Sequence, residues 1–146
     1  MIKEVKKEKF ELKIICDRIL SYQAKNYDTF NIEEVYQIMK MALESLPKDY
    51  YVIVDLSGLE GAHYPYNMVD EEWVQKIFKE IVNTNGRRAM SYWICNREKE
   101  EVKKLLELRS LYYDDEIIFR DNYETALKEI KEGLGLTECT LKHLEL

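Results

Sequence analysis

Histidine and cysteine, the residues that most often act as metal ligands, nucleophiles or general bases, are scarce in this sequence. Its 146 residues include two histidines and three cysteines, and no two cysteines are closely spaced. Neither a complete catalytic set nor a set of metal ligands at a suitable spacing can be identified. We therefore expect a protein that is not an enzyme and that holds no metal and no cofactor.

The three cysteines, Cys16, Cys95 and Cys139, also bear on the compartment. An odd number of widely separated cysteines, with no secretory signal at the start, is typical of a protein in a reducing cytoplasm. We expect a cytoplasmic protein with free thiols. Cys16 and Cys95 lie in apolar runs, and we interpret them as inert core residues.

Long apolar runs are absent as well, and no segment approaches the roughly 18 residues that would span a membrane. Hydrophobic residues make up 46% and charged residues 34% of the chain, which is typical of a folded soluble protein. The net charge of -6 disfavours general nucleic-acid binding, because phosphates repel an acidic surface. We expect no nucleic-acid partner and no membrane span.

The length is that of one domain. We find no internal repeat, linker or low-complexity segment in the sequence. Residues 1–135 are therefore assigned to a single domain. Residues 136–146 carry only a weak apolar pattern, and we assign them to a C-terminal tail.

The stretch from Tyr50 to Gly61 is the most informative in the chain. An apolar run of strand length ends in Asp55, and a loop with glycines follows it. Continuous apolar runs of this kind are typical of strands buried inside a parallel sheet. Ligands of open α/β sheets bind where such strands end, so the loop after Asp55 is the first candidate site.

Elsewhere the pattern predicts strands that alternate with helices. Phe10, Leu12 and Ile14 alternate with charged residues, which predicts two antiparallel strands joined at Asp17–Arg18 or else one bent strand. The element order β-β-α-β-α-β-α-β-α implies a mostly parallel sheet with an antiparallel N-terminal edge. Four helices are predicted, each preceded by a residue suited to cap it: Asn31, Asp70, Asn96 and Asp121.

Three segments carry a family resemblance: Val52–Leu59, Val102–Leu111, and Ile117–Phe119 followed by Tyr123–Leu127. In order and spacing they resemble the STAS superfamily, the fold of bacterial anti-sigma factor antagonists and of sulfate-transporter tails, and more broadly the SpoIIAA-like proteins. The resemblance implies a SpoIIAA-like fold and a tendency to bind proteins. Phosphorylatable family members carry serine near the start of the second helix. Here that position falls near 63–66, where no serine stands, so we do not expect that phosphorylation.

The loop after the central strand is the candidate recognition segment, because it combines aromatic, charged and flexible residues at the end of a strand. Tyr64 and Tyr66 would offer contact area to a partner, or would instead fold back over the edge of the sheet. Asp55 is expected to accept hydrogen bonds from amides of this loop. The candidate recognition residues are Ser57, Gly58, Glu60, His63, Tyr64, Tyr66 and Asn67.

These features together predict a non-enzymatic regulatory or protein-interaction module of the STAS or SpoIIAA-like type. Its partner would be another protein, with a second copy of the chain in a homodimer as one candidate. The alternative is a small-molecule binding domain that takes a nucleotide, an anion or a lipid in the cleft at the carboxyl ends of the central strands.

Overall fold

The computed structural model of the protein describes residues 4–6, 10–24, 32–59, 71–85 and 88–135. These residues form an α/β fold on a mixed sheet of six strands, whose spatial order is their order in the chain. The strands are β1 (Glu4–Lys6), β2 (Phe10–Ile15), β3 (Ile19–Ala24), β4 (Tyr50–Asp55), β5 (Arg88–Ile94) and β6 (Ile117–Phe119). The helices are α1 (Ile32–Glu44), α2 (Glu71–Asn85), α3 (Glu100–Arg109) and α4 (Tyr123–Leu134), and a 3₁₀ turn covers Ser57–Leu59.

The sheet has an antiparallel part and a parallel part. Strands β1, β2 and β3 pair antiparallel, whereas β3, β4, β5 and β6 pair parallel. The α/β class and the mostly parallel sheet with an antiparallel N-terminal edge are confirmed. Of the two interpretations of the early β residues, two antiparallel strands are correct. The short strand β1 was not predicted, because its three residues are too few to show an alternation.

The turn between β2 and β3 has an unusual backbone. Cys16 and Asp17 have φ values of 56° and 55°, and the Arg18 N–H donates to the Ile15 carbonyl oxygen at 3.1 Å. Two positive φ values with this hydrogen bond are those of a type I′ turn, which suits the twist of an antiparallel pair. Cys16 is in a disulfide, so the expected free thiol is wrong at this position. Cys95 is half-buried and keeps its thiol.

The two faces of the sheet are covered by different helices. Each connection from β3 through β6 moves one strand in the same direction, so crossovers of one hand place α1, α2 and α3 on one face. Helix α4 follows the last strand and packs on the other face. Each face carries its own hydrophobic core cluster. The first cluster, under α1, α2 and α3, includes Leu20, Leu43, Val52, Ile81, Trp93, Val102 and Leu105. The second cluster, under α4, includes Ile15, Ile19, Ile53, Tyr92, Ile94, Ala126 and Ile130.

Strand β4 is buried on both faces. Tyr50 and Val52 pack into the first cluster, and Ile53 packs into the second. Each of these three residues is at most 2% exposed. A strand with apolar neighbours on both sides needs apolar residues at successive positions, which explains the continuous run in the sequence.

Two helices begin at residues other than those predicted. Helix α3 has Lys99 at its N-cap position, because Asn96 instead accepts a hydrogen bond from the Glu98 N–H at 3.0 Å, in a turn before the helix. Helix α4 is capped by Asn122, whose side chain accepts from the Thr125 N–H at 2.8 Å. Asp121 was therefore the wrong choice by one residue. No helix in the described ranges is long and apolar enough to cross a membrane.

A buried ion pair joins the end of α3 to the segment before β6. The Arg109 Nη2 donates to Asp115 Oδ1 at 2.6 Å and to Ser91 Oγ on β5 at 3.0 Å. The Ser91 hydroxyl in turn donates to Asp115 Oδ2 at 2.6 Å. The two charged side chains are 2% and 5% exposed, and the guanidinium lies 5.0 Å from the centre of the Tyr113 ring. The pair therefore fixes the connection that leads to the last strand.

Replacement of Arg109 by methionine should destabilise the fold strongly, because the Asp115 carboxylate would stay buried without its cation. We expect Arg109→Met to lower the free energy of unfolding by about 3–5 kcal/mol, measured by urea denaturation. The control Lys103→Met, on the same helix, removes an exposed pair with Glu100 and should cost at most about 1 kcal/mol. The double variant Arg109→Met/Asp115→Leu should recover most of the loss. Equal effects of the two single variants would contradict this account.

Candidate functional site

The carboxyl ends of the parallel strands meet at one edge of the sheet. Gln23 and Asp55 are direct neighbours there, since they are register partners on β3 and β4. Both side chains lie on the face of the sheet that α4 covers, because Ile53 shares that face and strand residues alternate. The Leu56 N–H donates to the Ile94 carbonyl oxygen at 2.8 Å, which extends the pairing of β4 with β5 beyond Asp55.

Asp55 uses both carboxylate oxygens within the protein. Its Oδ1 accepts from the backbone N–H of Ser57 at 2.9 Å and from the Ser57 hydroxyl at 2.6 Å. Its Oδ2 accepts from Gln23 Nε2 at 3.2 Å. Asp55 is 5% exposed, and a buried carboxylate needs such partners. The prediction that Asp55 accepts hydrogen bonds from the following loop is confirmed.

A row of polar side chains continues from Asp55 across the antiparallel part of the sheet. Glu11 on β2 is the register partner of Gln23, so three neighbouring strands each place a polar residue in one row. Lys13 and Ser21 are partners one step further along, in a second row. Lys13 Nζ lies 2.5 Å from Glu11 Oε1. Glu11 and Ser21 are 8% and 1% exposed, whereas Lys13 and Gln23 are half-buried.

Tyr123, the first residue of α4, contacts this patch from the helix that covers this face of the sheet. Its hydroxyl and the Ser21 hydroxyl are 2.6 Å apart, and either can be the donor. Burial raises the pKa of Tyr123, and the hydrogen bond with Ser21 opposes that rise. The phenol therefore stays protonated at physiological pH, and it shares its hydrogen bond with Ser21. The same contact ties the start of α4 to the middle of β3.

This polar patch was not predicted from the sequence. The charged residues between Phe10, Leu12 and Ile14 were interpreted only as the polar half of an alternating pattern. Alternation shows that Glu11 and Lys13 share a face, but it does not show that the face is covered. The available signal was Ser21, a small polar residue inside the apolar run of β3.

Basic side chains flank the same edge of the sheet beside β6. The Arg97 guanidinium lies 4.4 Å from the centre of the Phe119 ring. Arg120 Nε donates to both carboxylate oxygens of Glu129 at 2.9 Å. That hydrogen bond and the charge of Arg120 hold the pKa of Glu129 below its ordinary value. The contribution of the Arg120–Glu129 ion pair to folding stability is therefore fully present at neutral pH. It is lost as the pH falls through the lowered pKa of Glu129.

The structure places only part of the predicted recognition segment. Ser57 and Gly58 lie in the 3₁₀ turn directly after β4, and both are exposed. Ser57 is brought to Asp55 by the two hydrogen bonds described above. The other five predicted residues lie outside the described residues: Glu60, His63, Tyr64, Tyr66 and Asn67. Within the described parts of the chain, no group of three or more His, Cys, Asp or Glu residues could hold a metal ion.

Comparisons with known proteins assign no family to this geometry. No family model matches the chain, and neither a curated protein nor a solved structure matches it. The resemblance to STAS proteins therefore rests on the three sequence segments alone, and the SpoIIAA-like arrangement stays a prediction.

Removal of the Asp55 carboxylate should destabilise the protein, because the half-buried amide of Gln23 and the N–H and hydroxyl of Ser57 would lose their acceptor. We expect Asp55→Ala to lower the free energy of unfolding by about 1–3 kcal/mol, measured by urea denaturation. Asp55→Asn is the matched control. Its carbonyl oxygen still accepts from Ser57, and a flipped Gln23 amide can accept from its nitrogen. The asparagine variant should therefore lose less than half as much stability as the alanine variant. An alanine variant as stable as the wild type would show that the hydrogen bonds to Asp55 do not stabilise this strand end.

Proposed function

We propose that the chain is a non-enzymatic regulatory module of the SpoIIAA-like type, which binds another protein through the segment that follows β4. The observation that carries the proposal is the set of hydrogen bonds that the Asp55 carboxylate accepts. Within the described residues, the three hydrogen bonds to its carboxylate come from the strand beside it and from the first turn of that segment. The carboxylate thus holds the first turn of the segment against the end of β4.

A recognition segment benefits from a first turn whose position is fixed. The two hydrogen bonds from Ser57 fix where the segment leaves the sheet, and the pairing of Leu56 with Ile94 fixes its direction. A segment whose first turn is already held in place loses less conformational entropy in that turn when it binds. Loops that leave a rigid sheet edge in this way are common carriers of binding residues.

The composition of the segment indicates the chemistry of its partner. Tyr64 and Tyr66 are large amphipathic side chains, and tyrosine is enriched among the residues that dominate binding energy at interfaces. His63 and Asn67 add hydrogen-bonding groups beside them. We infer a protein partner that has apolar pockets with polar rims. A second copy of the chain is the first such partner to examine.

A second candidate function is favoured by the polar patch on the α4 face. Glu11, Gln23 and Asp55 in one row, with Lys13 and Ser21 in the next, place hydrogen-bonding groups at the edge where ligands of α/β sheets bind. This placement supports the small-molecule alternative. Two carboxylates against one lysine favour a neutral or cationic ligand over an anion.

The double variant Tyr64→Ala/Tyr66→Ala tests the protein-binding proposal. Sedimentation equilibrium of the wild type over a wide concentration range measures self-association, and a quantitative pull-down with the immobilised wild type finds other partners. We expect a partner whose dissociation constant rises at least about 30-fold for the double variant, since loss of an aromatic anchor costs about 2 kcal/mol or more. The melting temperature of the variant should be unchanged.

Leu111→Ala is the control for this experiment. Leu111 is an apolar side chain that is 69% exposed, and it follows α3, away from the end of β4. This variant should bind as the wild type does. A strictly monomeric wild type with no protein partner would overturn the proposal. So would a nucleotide, anion or lipid that raises the melting temperature of the wild type and of the double variant equally, since that result favours the small-molecule alternative.

A further inference from the structure

Strand β6 lies at one edge of the sheet. Among the described residues it pairs with β5 alone, because the spatial order of the strands ends with it. Its three residues, Ile117, Ile118 and Phe119, are apolar and half-buried. An edge strand presents backbone donors and acceptors with which another strand can pair. The outer side of β6 is therefore a candidate interaction surface.

The register with β5 shows which backbone groups of β6 point outward. The Ser91 N–H donates to the Glu116 carbonyl oxygen at 3.1 Å, and the Arg120 N–H donates to β5 at 3.1 Å, so the groups on either side of β6 point inward. Backbone groups alternate in direction along a strand, so the N–H and C=O groups of Ile117 and Phe119 point away from β5. Strand β6 thus presents two donors and two acceptors to a further strand.

A second copy of β6 in antiparallel orientation, centred on Ile118, matches all four groups. Ile117 of one copy then lies opposite Phe119 of the other, and the two residues exchange both N–H···O hydrogen bonds. The two-fold axis repeats this exchange, so that every outward group of both strands is paired. Ile118 lies opposite its own copy in a pair without hydrogen bonds, where Cα atoms are about 4.5 Å apart. The hydrogen-bonding pattern of this edge is therefore self-complementary.

The same register brings opposite charges together. Glu116 and Arg120 are equally far from Ile118 along the chain, so Glu116 of one copy faces Arg120 of the other on both sides of the axis. Side chains that lie directly opposite on an antiparallel pair are close enough to form an ion pair. In the adjacent alternative registers, Glu116 would instead lie opposite Ile118 or Asn122, which are uncharged. The charges therefore favour the register that is centred on Ile118.

Helix α4 leaves the outer side of β6 accessible. The helix begins beside Ser21 on β3, and its residue Ala126 packs in the same cluster as Ile53 on β4. Helix α4 thus lies over the middle of the sheet. Ile118 packs against the border of that cluster and stays half-buried.

The contacts of Arg120 within its own chain are compatible with this pairing. Its Nη1 donates to the outward carbonyl oxygen of Phe119 at 2.9 Å, but a carbonyl oxygen has two lone pairs and can also accept from a second chain. Its ion pair with Glu129 uses Nε. The Nη groups therefore keep N–H donors for Glu116 of the other copy.

We propose that the chain forms a two-fold symmetric homodimer in which the β6 strands of two copies pair antiparallel and join their sheets edge to edge. The partner is a second copy of the chain, because the hydrogen-bonding pattern and the charges of this edge are both self-complementary. A contact through one short strand from each copy is small, so the dimer is weak. This contact does not use the segment that follows β4, which stays available to another protein.

Proline at position 117 tests the hydrogen bonds between the chains. The Ile117 N–H points away from β5, so Ile117→Pro removes no hydrogen bond between β6 and β5, whereas it removes half of those between the chains. Ile117→Ala, which loses the same side chain but keeps the N–H, is the matched control. In sedimentation equilibrium at loadings of about 10 μM to 1 mM, we expect the wild type and Ile117→Ala to dimerise. The dissociation constant of Ile117→Pro should be at least about 30-fold higher than that of Ile117→Ala.

Reversal of one charge tests the ion pairs. Glu116→Arg places like charges opposite each other on both sides of the axis, so the dissociation constant should rise about tenfold at low salt and less at high salt. Glu72→Arg is the control, because it makes the same change of charge at an exposed residue of α2, and it should dimerise as the wild type does. The Tyr64→Ala/Tyr66→Ala variant should also dimerise as the wild type does, so this dimer and the proposed function can fail separately.

Cysteine cross-linking locates the two-fold axis. Under mild oxidation, Ile118→Cys should form a disulfide between the chains at that position, because a Cα separation of about 4.5 Å is within disulfide range. Glu116→Cys is the control: the position is more exposed, but it lies roughly 13 Å from its own copy along the paired strands and should stay unlinked. Peptide mass spectrometry identifies the linked positions.

Three results would each overturn the proposal. One is a wild type that stays monomeric at the highest loading. Another is an equal dissociation constant for Ile117→Pro and Ile117→Ala, both of them folded as shown by their melting curves. The third is faster cross-linking of Glu116→Cys than of Ile118→Cys.

Discussion

The burial of β4 on both faces is the constraint on which the rest of the structure depends. A strand with Val52 packed to one side and Ile53 to the other needs a covering layer on each face. Helices α1, α2 and α3 supply one layer because their crossovers advance along the sheet in the same direction. Helix α4 supplies the other, and it can do so because it follows the last strand and is not bound to a crossover.

The same constraint determines the role of Asp55. An acidic side chain at the end of a doubly buried strand cannot keep its full hydration, so its oxygens need donors from the protein. Gln23 and Ser57 provide them. The consequence is local order: the strand end, its neighbour and the first turn of the following segment are joined through one carboxylate. In the proposed function, that local order presents the segment to a protein partner.

The sequence predicted those elements whose signal is local. The apolar run of β4 and the helical spacing of α1 were sufficient to place both. The caps of α3 and α4 were missed by a few residues, because Asn96 and Asp121 are good caps by type and only the tertiary path decides between neighbours. The polar patch with Glu11 and the disulfide of Cys16 were missed for a different reason. Both depend on which part of the chain covers a face or approaches a turn, and alternation and cysteine spacing carry no such information.

Asp55 holds the first turn of the following segment in place within the folded protein. Hydrogen exchange of the Ser57 backbone amide, followed by NMR in the wild type, tests it most directly. We expect this amide, although it belongs to an exposed residue, to exchange at least about tenfold more slowly than in an unstructured peptide, because its hydrogen bond to Asp55 Oδ1 must open first. Exchange of the Ser57 amide at the unstructured rate, while the amides of β4 stay protected, would contradict it.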